Sequence, residues 1–339
     1  MTRELSLKIG IIGLGKMGIL HAGILNALPS CSVVAICEKE TLLRRAGSKL
    51  LKKIKFYGEV EDMMEGEEEL DAVYVTTPIS IHLPIIEQIA KTEKKVGLFV
   101  EKPLAGSYSD AQRLFEVASR LTDVHMIGFQ KRFSPIFQKA KTFLDEGVLG
   151  ELNFFRAYSF SSDILSEGKG WRFNKGAGGA MLDLGPHLID LLLWYFDEPT
   201  ILSSFSKSFY SKEVEDFVHA SLKFQNGLAG YLDVSWSMDG YRLPETKIEI
   251  IGSQGKLEVS DDYLRLHLRR SVNGIEAGRH EFKRPDLYKG VTFLLGDPEY
   301  CSEDEHFVNC LKEKKEPVIN LKSGVLVNKI IEEIKSNSS

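Results

Sequence analysis

The stretch Lys8–Gly18, KIGIIGLGKMG, restricts what this chain can fold into more than any other. Ile9–Ile12 is a short apolar run suited to a strand buried on both faces. Gly13, Gly15 and Gly18 follow with G-x-G-x-x-G spacing, and Met17–Leu28 has helical periodicity. Strand, glycine turn and helix in that order make the dinucleotide-binding arrangement. The first glycine permits the tight turn, the second lets backbone approach a pyrophosphate, and the third lets helix and strand pack closely. The helix N-terminus then offers N–H groups and a partial positive charge to phosphates. Gly13, Leu14, Gly15, Lys16, Met17 and Gly18 are therefore candidate cofactor contacts. A glycine turn without a ligand would explain the spacing but not the strand and helix that flank it.

The second strand, Ser32–Cys37, runs directly into Glu38, 20 positions after Gly18. An acid there hydrogen-bonds the adenosine ribose hydroxyls and repels a 2′-phosphate, which favours NAD over NADP. Lys39, Arg44 and Arg45 lie close by in sequence, and a basic side chain there would tolerate the phosphate. Through residue 129 the strand–helix alternation repeats about five times, with strands at 55–57, 71–76, 96–100 and 125–129. Right-handed crossovers make this a parallel sheet covered by helices on both faces. Ligands bind beyond the carboxyl ends of such strands. Thr76-Thr77-Pro78, Glu101-Lys102-Pro103 and Gln130 leave their strands at that edge.

After residue 130 the texture changes. A helix is expected over 134–146, a strand over 151–161, a glycine-rich loop over 162–179 and one long helix over 179–196. Six strands then follow, with Asn226-Gly227 as a two-residue hairpin signal. Hairpin-linked strands imply an antiparallel or mixed sheet, so the second half reads as α+β. Residues 270–300 read as a long irregular segment, and helices over 302–311 and 323–335 close the chain.

Composition narrows the function by exclusion. A net charge of −5 over 339 residues gives no electrostatic footprint for nucleic acid. No apolar run reaches the ~18 residues of a membrane span, and the N-terminal MTRELSLK has no signal core. Cys31, Cys37, Cys301 and Cys310 show no C-x-x-C spacing, which suggests reduced thiols and a cytoplasmic protein.

Two clusters can carry chemistry, Glu101-Lys102-Pro103 and the run Gly178–His187, GGAMLDLGPH. Asp183 and His187 are four apart, so on a helix they share a face. Hydride transfer from a secondary alcohol needs a base for the hydroxyl proton and a donor for the developing alkoxide. His187 suits the first task and Lys102 the second, with Asp183 orienting the hydroxyl or tuning His187. Asp-x-x-x-His is also a metal-ligand spacing, but no second cluster completes a site and no metal is expected.

Taken together, GLGKMG, TTPISIH at 76–82, EKPLA at 101–105, GFQKRFSP at 128–135, WRFNKGAGGAMLDLGPHLIDLLLW at 171–194 and EIIGSQGKLEV at 249–259 resemble the glucose-fructose oxidoreductase / inositol dehydrogenase / MocA family, in the family's order. The resemblance implies an α/β fold, with a Rossmann NAD(P)-binding domain over 1–130 and an α+β substrate-binding and oligomerisation domain with a large open, mainly antiparallel sheet over 131–322. It also implies a C-terminal helix, 323–339, packing back on the body. Lys102, Asp183 and His187 fall on the family's catalytic positions. Gly13–Gly18, Glu38, Thr76, Thr77, Pro78, His82, Glu101, Lys102, Gln130, Trp171 and Arg172 fall on positions at or near the cofactor. Ile79 departs from the asparagine often found after that proline. The implied activity is NAD(P)-dependent oxidation or reduction of a sugar, sugar nucleotide or cyclitol by a homodimer or homotetramer paired through the open sheet. Two alternatives stay open, an NAD-dependent glycoside hydrolase acting through transient C3 oxidation and a non-catalytic dinucleotide-binding regulator.

Overall fold

The computed structural model describes residues 6–175, 178–288, 290–291 and 296–338. The chain divides into two compact units, Met1–Gln130 with Gly290–Asn328, and Lys131–Lys289 with Lys329–Ser339. The boundary expected at residue 322 followed chain order; by contacts, 290–328 group with the first unit instead.

The first unit opens β1 (Leu7–Ile12), α1 (Lys16–Ala27), β2 (Cys31–Cys37), α2 (Thr41–Leu50), β3 (Lys55–Tyr57) and α3 (Val60–Gly66). It continues with β4 (Ala72–Val75), α4 (His82–Lys91), β5 (Gly97–Val100), α5 (Tyr108–Leu121) and β6 (His125–Ile127). All six strands are parallel, in the order β3-β2-β1-β4-β5-β6. This is the dinucleotide-binding order, with its topological switch point between β1 and β4. Every residue of β4 and β5 is buried, because helices cover both faces and an apolar run with no alternation is what such a strand needs. In α5 the Ser107 hydroxyl accepts the Asp110 amide, and Ala111, Leu114, Ala118 and Leu121 bury one stripe.

The second unit contains α6 (Pro135–Asp145), β7 (Leu152–Phe160), α7 (Ala180–Asp183), α8 (Gly185–Phe196), β8 (Thr200–Lys207), β9 (Phe217–Lys223) and β10 (Ala229–Ser235). It goes on through β11 (Glu245–Gly252), β12 (Gly255–Ser260), β13 (Tyr263–Leu268), β14 (Gly278–Lys283) and α9 (Arg284–Leu287). Its eight-stranded sheet runs β14-β13-β12-β11-β7-β10-β9-β8, antiparallel throughout except for the parallel β7–β10 pair. Val218, Ala220 and Leu222 of β9 are buried while Phe217, His219 and Ser221 are half-buried, so one face packs on a core and the other does not. Two further helices, α10 (Glu299–Glu313) and α11 (Leu321–Ser336), complete the chain.

Two expectations change. The single helix over 179–196 is broken at Leu184 into α7 and α8. Pro186 has no N–H to give the Leu182 carbonyl, so the helical ladder is interrupted where the proline enters. Residues 270–300 are not wholly irregular, since they hold β14 and α9. β14 is a polar edge strand, GRHEFK, whose side chains lack the apolar alternation that marks a strand in sequence. Among the described residues no helix is long and apolar enough to cross a membrane.

Candidate active site

In the first unit the parallel strands deliver the expected segments to one edge. β1 leads directly into Gly13, β2 into Glu38, β4 into Thr76, β5 into Glu101 and β6 into Gly128–Gln130. The glycines of the turn do different work. Gly13 has φ +95°, and a Cβ there would lie 2.8 Å from the Thr77 side chain. A Cβ on Gly18 would lie 2.0 Å from the Gly13 carbonyl oxygen, so only glycine lets α1 start this close to the turn. A Cβ on Gly15 would meet no protein atom within 4 Å, so bareness there serves approach from outside. Lys16 is exposed beside it, and Leu14 and Met17 are half-buried.

The Glu38 carboxylate accepts the Leu14 amide at 2.8 Å and the Glu40 amide at 2.8 Å. The Arg44 guanidinium, a potential phosphate ligand in sequence, donates instead to the carbonyls of Glu38 at 2.8 Å and Lys39 at 3.2 Å. Thr76 donates to the Gly13 carbonyl at 2.8 Å and so braces the glycine turn from the neighbouring strand. Bare backbone at Gly15, a capping carboxylate and an open helix start fit the pyrophosphate and ribose of a dinucleotide.

His82, another of the expected cofactor contacts, lies behind the Thr77-Pro78 turn. It is buried, with one ring nitrogen 2.9 Å from the Thr77 carbonyl and the other 3.2 Å from the Leu104 carbonyl. Burial outweighs these bonds and holds its pKa below the ordinary value. His82 braces the Thr77-Pro78 turn through the Thr77 carbonyl. Pro78 itself is exposed at that turn and Thr77 is half-buried.

Glu101 is buried, and its carboxylate accepts the Lys102 amide at 3.0 Å. Lys102 is half-buried immediately after β5. Gln130 donates to the Tyr300 hydroxyl at 3.1 Å, so α10 also borders this edge. Sequence reading missed α10's part in it. The available signal was Glu299, Glu303 and Asp304 at helical spacing beside Tyr300 and Phe307, acids on a face that is otherwise aromatic.

In the second unit the GGAMLD run is shaped by close backbone contacts. A Cβ on Gly178 would lie 1.9 Å from the Arg172 carbonyl oxygen, and one on Gly179, at φ +107°, would lie 2.3 Å from the Glu215 carboxylate. The Ala180 amide donates to the Glu215 carbonyl at 2.9 Å, which fixes where α7 begins. Asp183 ends α7 and pairs with the Arg172 guanidinium, which also reaches Asp163 at 3.1 Å. His187 lies one turn on, in α8, with 8% of its surface exposed. Asp190, buried in the same helix, is held by the Arg132 guanidinium through two bonds, at 2.8 and 2.6 Å. That bidentate pair anchors the helix that carries His187. Arg172 stacks over the Trp236 indole at 5.1 Å. The Trp171 side chain lies outside the described residues.

Residues 7–129 match the family model described as the oxidoreductase family, NAD-binding Rossmann fold, and residues 137–258 match the GFO/IDH/MocA C-terminal domain. The chain is 25% identical to scyllo-inositol 2-dehydrogenase (NAD(+)) of Bacillus subtilis, over 95% of this chain and 93% of that one. It is 25% identical to D-apiose dehydrogenase of Paraburkholderia graminis, over 94% and 85%. It is 22% identical to D-xylose 1-dehydrogenase [NADP(+)] of Haloarcula marismortui, over 89% and 84%. In fold it is similar to levoglucosan dehydrogenase solved with NADH and L-sorbose, with a TM-score of 0.87 at 20% identity over 98% and 97% of the two chains. A parallel dinucleotide sheet with its glycine turn, an open mainly antiparallel sheet and two matched family domains thus place this chain in the GFO/IDH/MocA family of oxidoreductases.

Proposed function

We propose that this protein transfers hydride between a nicotinamide dinucleotide, NAD in preference to NADP, and a secondary alcohol or ketone of a sugar, sugar nucleotide or cyclitol. The observation that carries the proposal is the shared edge of the parallel sheet. Gly13–Gly18, Glu38, Thr76-Thr77-Pro78, Glu101-Lys102 and Gln130 all leave their strands on it. NAD preference is supported by the fixed Glu38 carboxylate and by Arg44 being held on backbone carbonyls. The names of relatives, an inositol, an apiose and a xylose dehydrogenase, support a polyhydroxylated substrate.

The dinucleotide, when bound at the glycine turn, supplies the hydride acceptor or donor. The chain's own groups do the rest. His187 takes the substrate hydroxyl proton, and the Lys102 ammonium donates to the same oxygen as negative charge develops on it. Asp183, held by Arg172, orients the hydroxyl or the imidazole. Reversal of the same steps reduces a ketone. We further assign subunit pairing, as a homodimer or homotetramer, to the half-buried face of the eight-stranded sheet, where Tyr158, Phe160 and Tyr241 cluster.

The test is a panel of cyclitols, aldoses and sugar nucleotides incubated with NAD and followed by NADH absorbance. Turnover of at least one compound is expected. NADH binding with no turnover across the panel would instead indicate a regulator. Sugar release from a nitrophenyl glycoside without net NADH would indicate a hydrolase.

A further inference from the structure

The first unit contains a buried titratable cluster that none of the steps above uses. His21 of α1 has no exposed surface. One ring nitrogen lies 2.9 and 3.0 Å from the two oxygens of Asp304 in α10, and the other lies 3.0 Å from Glu101. An ionised carboxylate accepts and does not donate, so with carboxylates on both sides both contacts are hydrogen bonds only if both ring nitrogens carry a proton. The ring is enclosed by Tyr74 at 5.4 Å, Phe99 at 5.0 Å and the edge of Tyr300 at 6.1 Å. Glu303, next to Asp304, is also fully buried, and neither of its oxygens meets a donor among the described residues.

Glu101 links this cluster to the candidate chemistry. One of its oxygens takes the His21 bond and the other takes the Lys102 amide. We propose that Asp304, cationic His21 and a protonated Glu303 form a buried brace that holds the Glu101 side chain fixed, and thereby positions Lys102. These are positioning residues, because they act through Glu101.

The charge count supports this arrangement. The groups facing His21 are Glu101 from β5, Tyr74 from β4, and Tyr300, Glu303 and Asp304 from α10, with Glu299 close to Glu303. One imidazolium can compensate Glu101 and Asp304 in part. A third buried carboxylate beside them, with no donor among the described residues, would be a lone ion in a low dielectric. Burial and the adjacent Glu101 accordingly push the Glu303 carboxyl well up. For His21 burial alone would lower the pKa, but Asp304 and Glu101 outweigh it and raise it well above the ordinary value. The proton on Glu303 lets the brace stay dry and closed without a further cation.

The proposal rests on Lys102 having the role given above, so the test separates the two. In the purified full chain, infrared spectroscopy should show a protonated-carboxyl stretch that disappears in Glu303→Gln. Nitrogen NMR should show His21 as a doubly protonated ring across about pH 6 to 8, where an ordinary histidine loses its proton. Neither readout needs a substrate. In Asp304→Asn, hydrogen exchange at the Lys102 amide should be about tenfold faster, while amides inside the parallel sheet keep their protection. Absence of the carboxyl stretch, a neutral His21 at pH 7, or unchanged exchange at Lys102 would each overturn the brace. If Asp304→Asn does not fold, the infrared and NMR results decide. Lys102→Met, assayed in parallel on any substrate turned over, judges the role of Lys102 separately.

Discussion

The Glu38 carboxylate reaches across the glycine turn and accepts the Leu14 amide at 2.8 Å. Its second oxygen accepts the Glu40 amide, so the charge is fixed in place before any cofactor arrives. An adenosine 2′-phosphate would meet that charge, whereas ribose hydroxyls would donate to it. Glu38→Ser is expected to shift the ratio of NADPH to NADH dissociation constants towards NADPH by roughly tenfold or more. NADH itself should weaken by ~1–2 kcal/mol through loss of hydrogen bonds to the carboxylate. Fluorescence titration with both reduced cofactors measures this, and an unchanged ratio would remove Glu38 as the discriminating residue.

Two glycines of the same turn should respond differently to one methyl group. At Gly18 a Cβ would press on the Gly13 carbonyl, so Gly18→Ala is expected to lower both the melting temperature and NADH affinity. At Gly15 the backbone is extended at φ −74°, ψ −169° and the added carbon touches no protein atom. Gly15→Ala should therefore keep its melting temperature and still lose about tenfold or more in NADH affinity. Equal affinity in Gly15→Ala and the wild type would mean that the dinucleotide does not approach the turn there.

Lys102 and His187 can be tested by turnover. Lys102→Met removes the donor to the developing alkoxide and is expected to lower kcat by about 10²–10³-fold. His187→Ala removes the base, with an expected loss of about 10²–10⁴-fold. NADH affinity should stay within about threefold in His187→Ala, since that change touches neither the glycine turn nor Glu38. Near-normal turnover in either variant at saturating substrate would refute its assignment.

The dinucleotide half was readable because its physics is local. Gly13, Gly15, Gly18 and Glu38 act within one strand–turn–helix–strand unit, so sequence spacing translates directly into geometry. The break at Leu184 was also within reach, since Pro186 announces it, but the apolar run around it read as one helix. The contact of His82 with the Leu104 carbonyl, 22 positions away, was not legible in the spacing of its motif. The brace around His21 was legible only as acids beside aromatics in α10, not as a contact with His21. Its partner Asp304 lies 283 positions on, in a helix that the fold places with Asp304 against His21 and Phe307 against Tyr74 and Phe99. The Arg132–Asp190 pair, 58 positions apart, is the same kind of case, a charge inside an apolar helix that is held by a distant partner.

Asp216 shows how the region around Trp236 and Arg172 is held, and it carries a pH signature. Its carboxylate accepts the amides of Phe209 and Tyr210 at 2.6 Å each and of Ser211 at 2.9 Å. It also accepts the Ser211 hydroxyl at 2.5 Å and the Trp236 indole N–H at 2.6 Å. Burial alone would raise this carboxyl, but the bonds from Ser211, Trp236 and Tyr210 outweigh it and hold the pKa below the ordinary value. A depressed folded pKa gives stability that is complete above the unfolded value of about 4 and is lost as pH falls through the folded one. Asp216→Asn turns one acceptor into a donor facing donors and should cost roughly 3 kcal/mol at neutral pH. The gap in unfolding free energy between wild type and variant should be constant from about pH 5 to 8 and narrow in stronger acid. Chemical denaturation at several pH values measures it. A gap that does not narrow in acid would mean that Asp216 holds this region by shape rather than by charge.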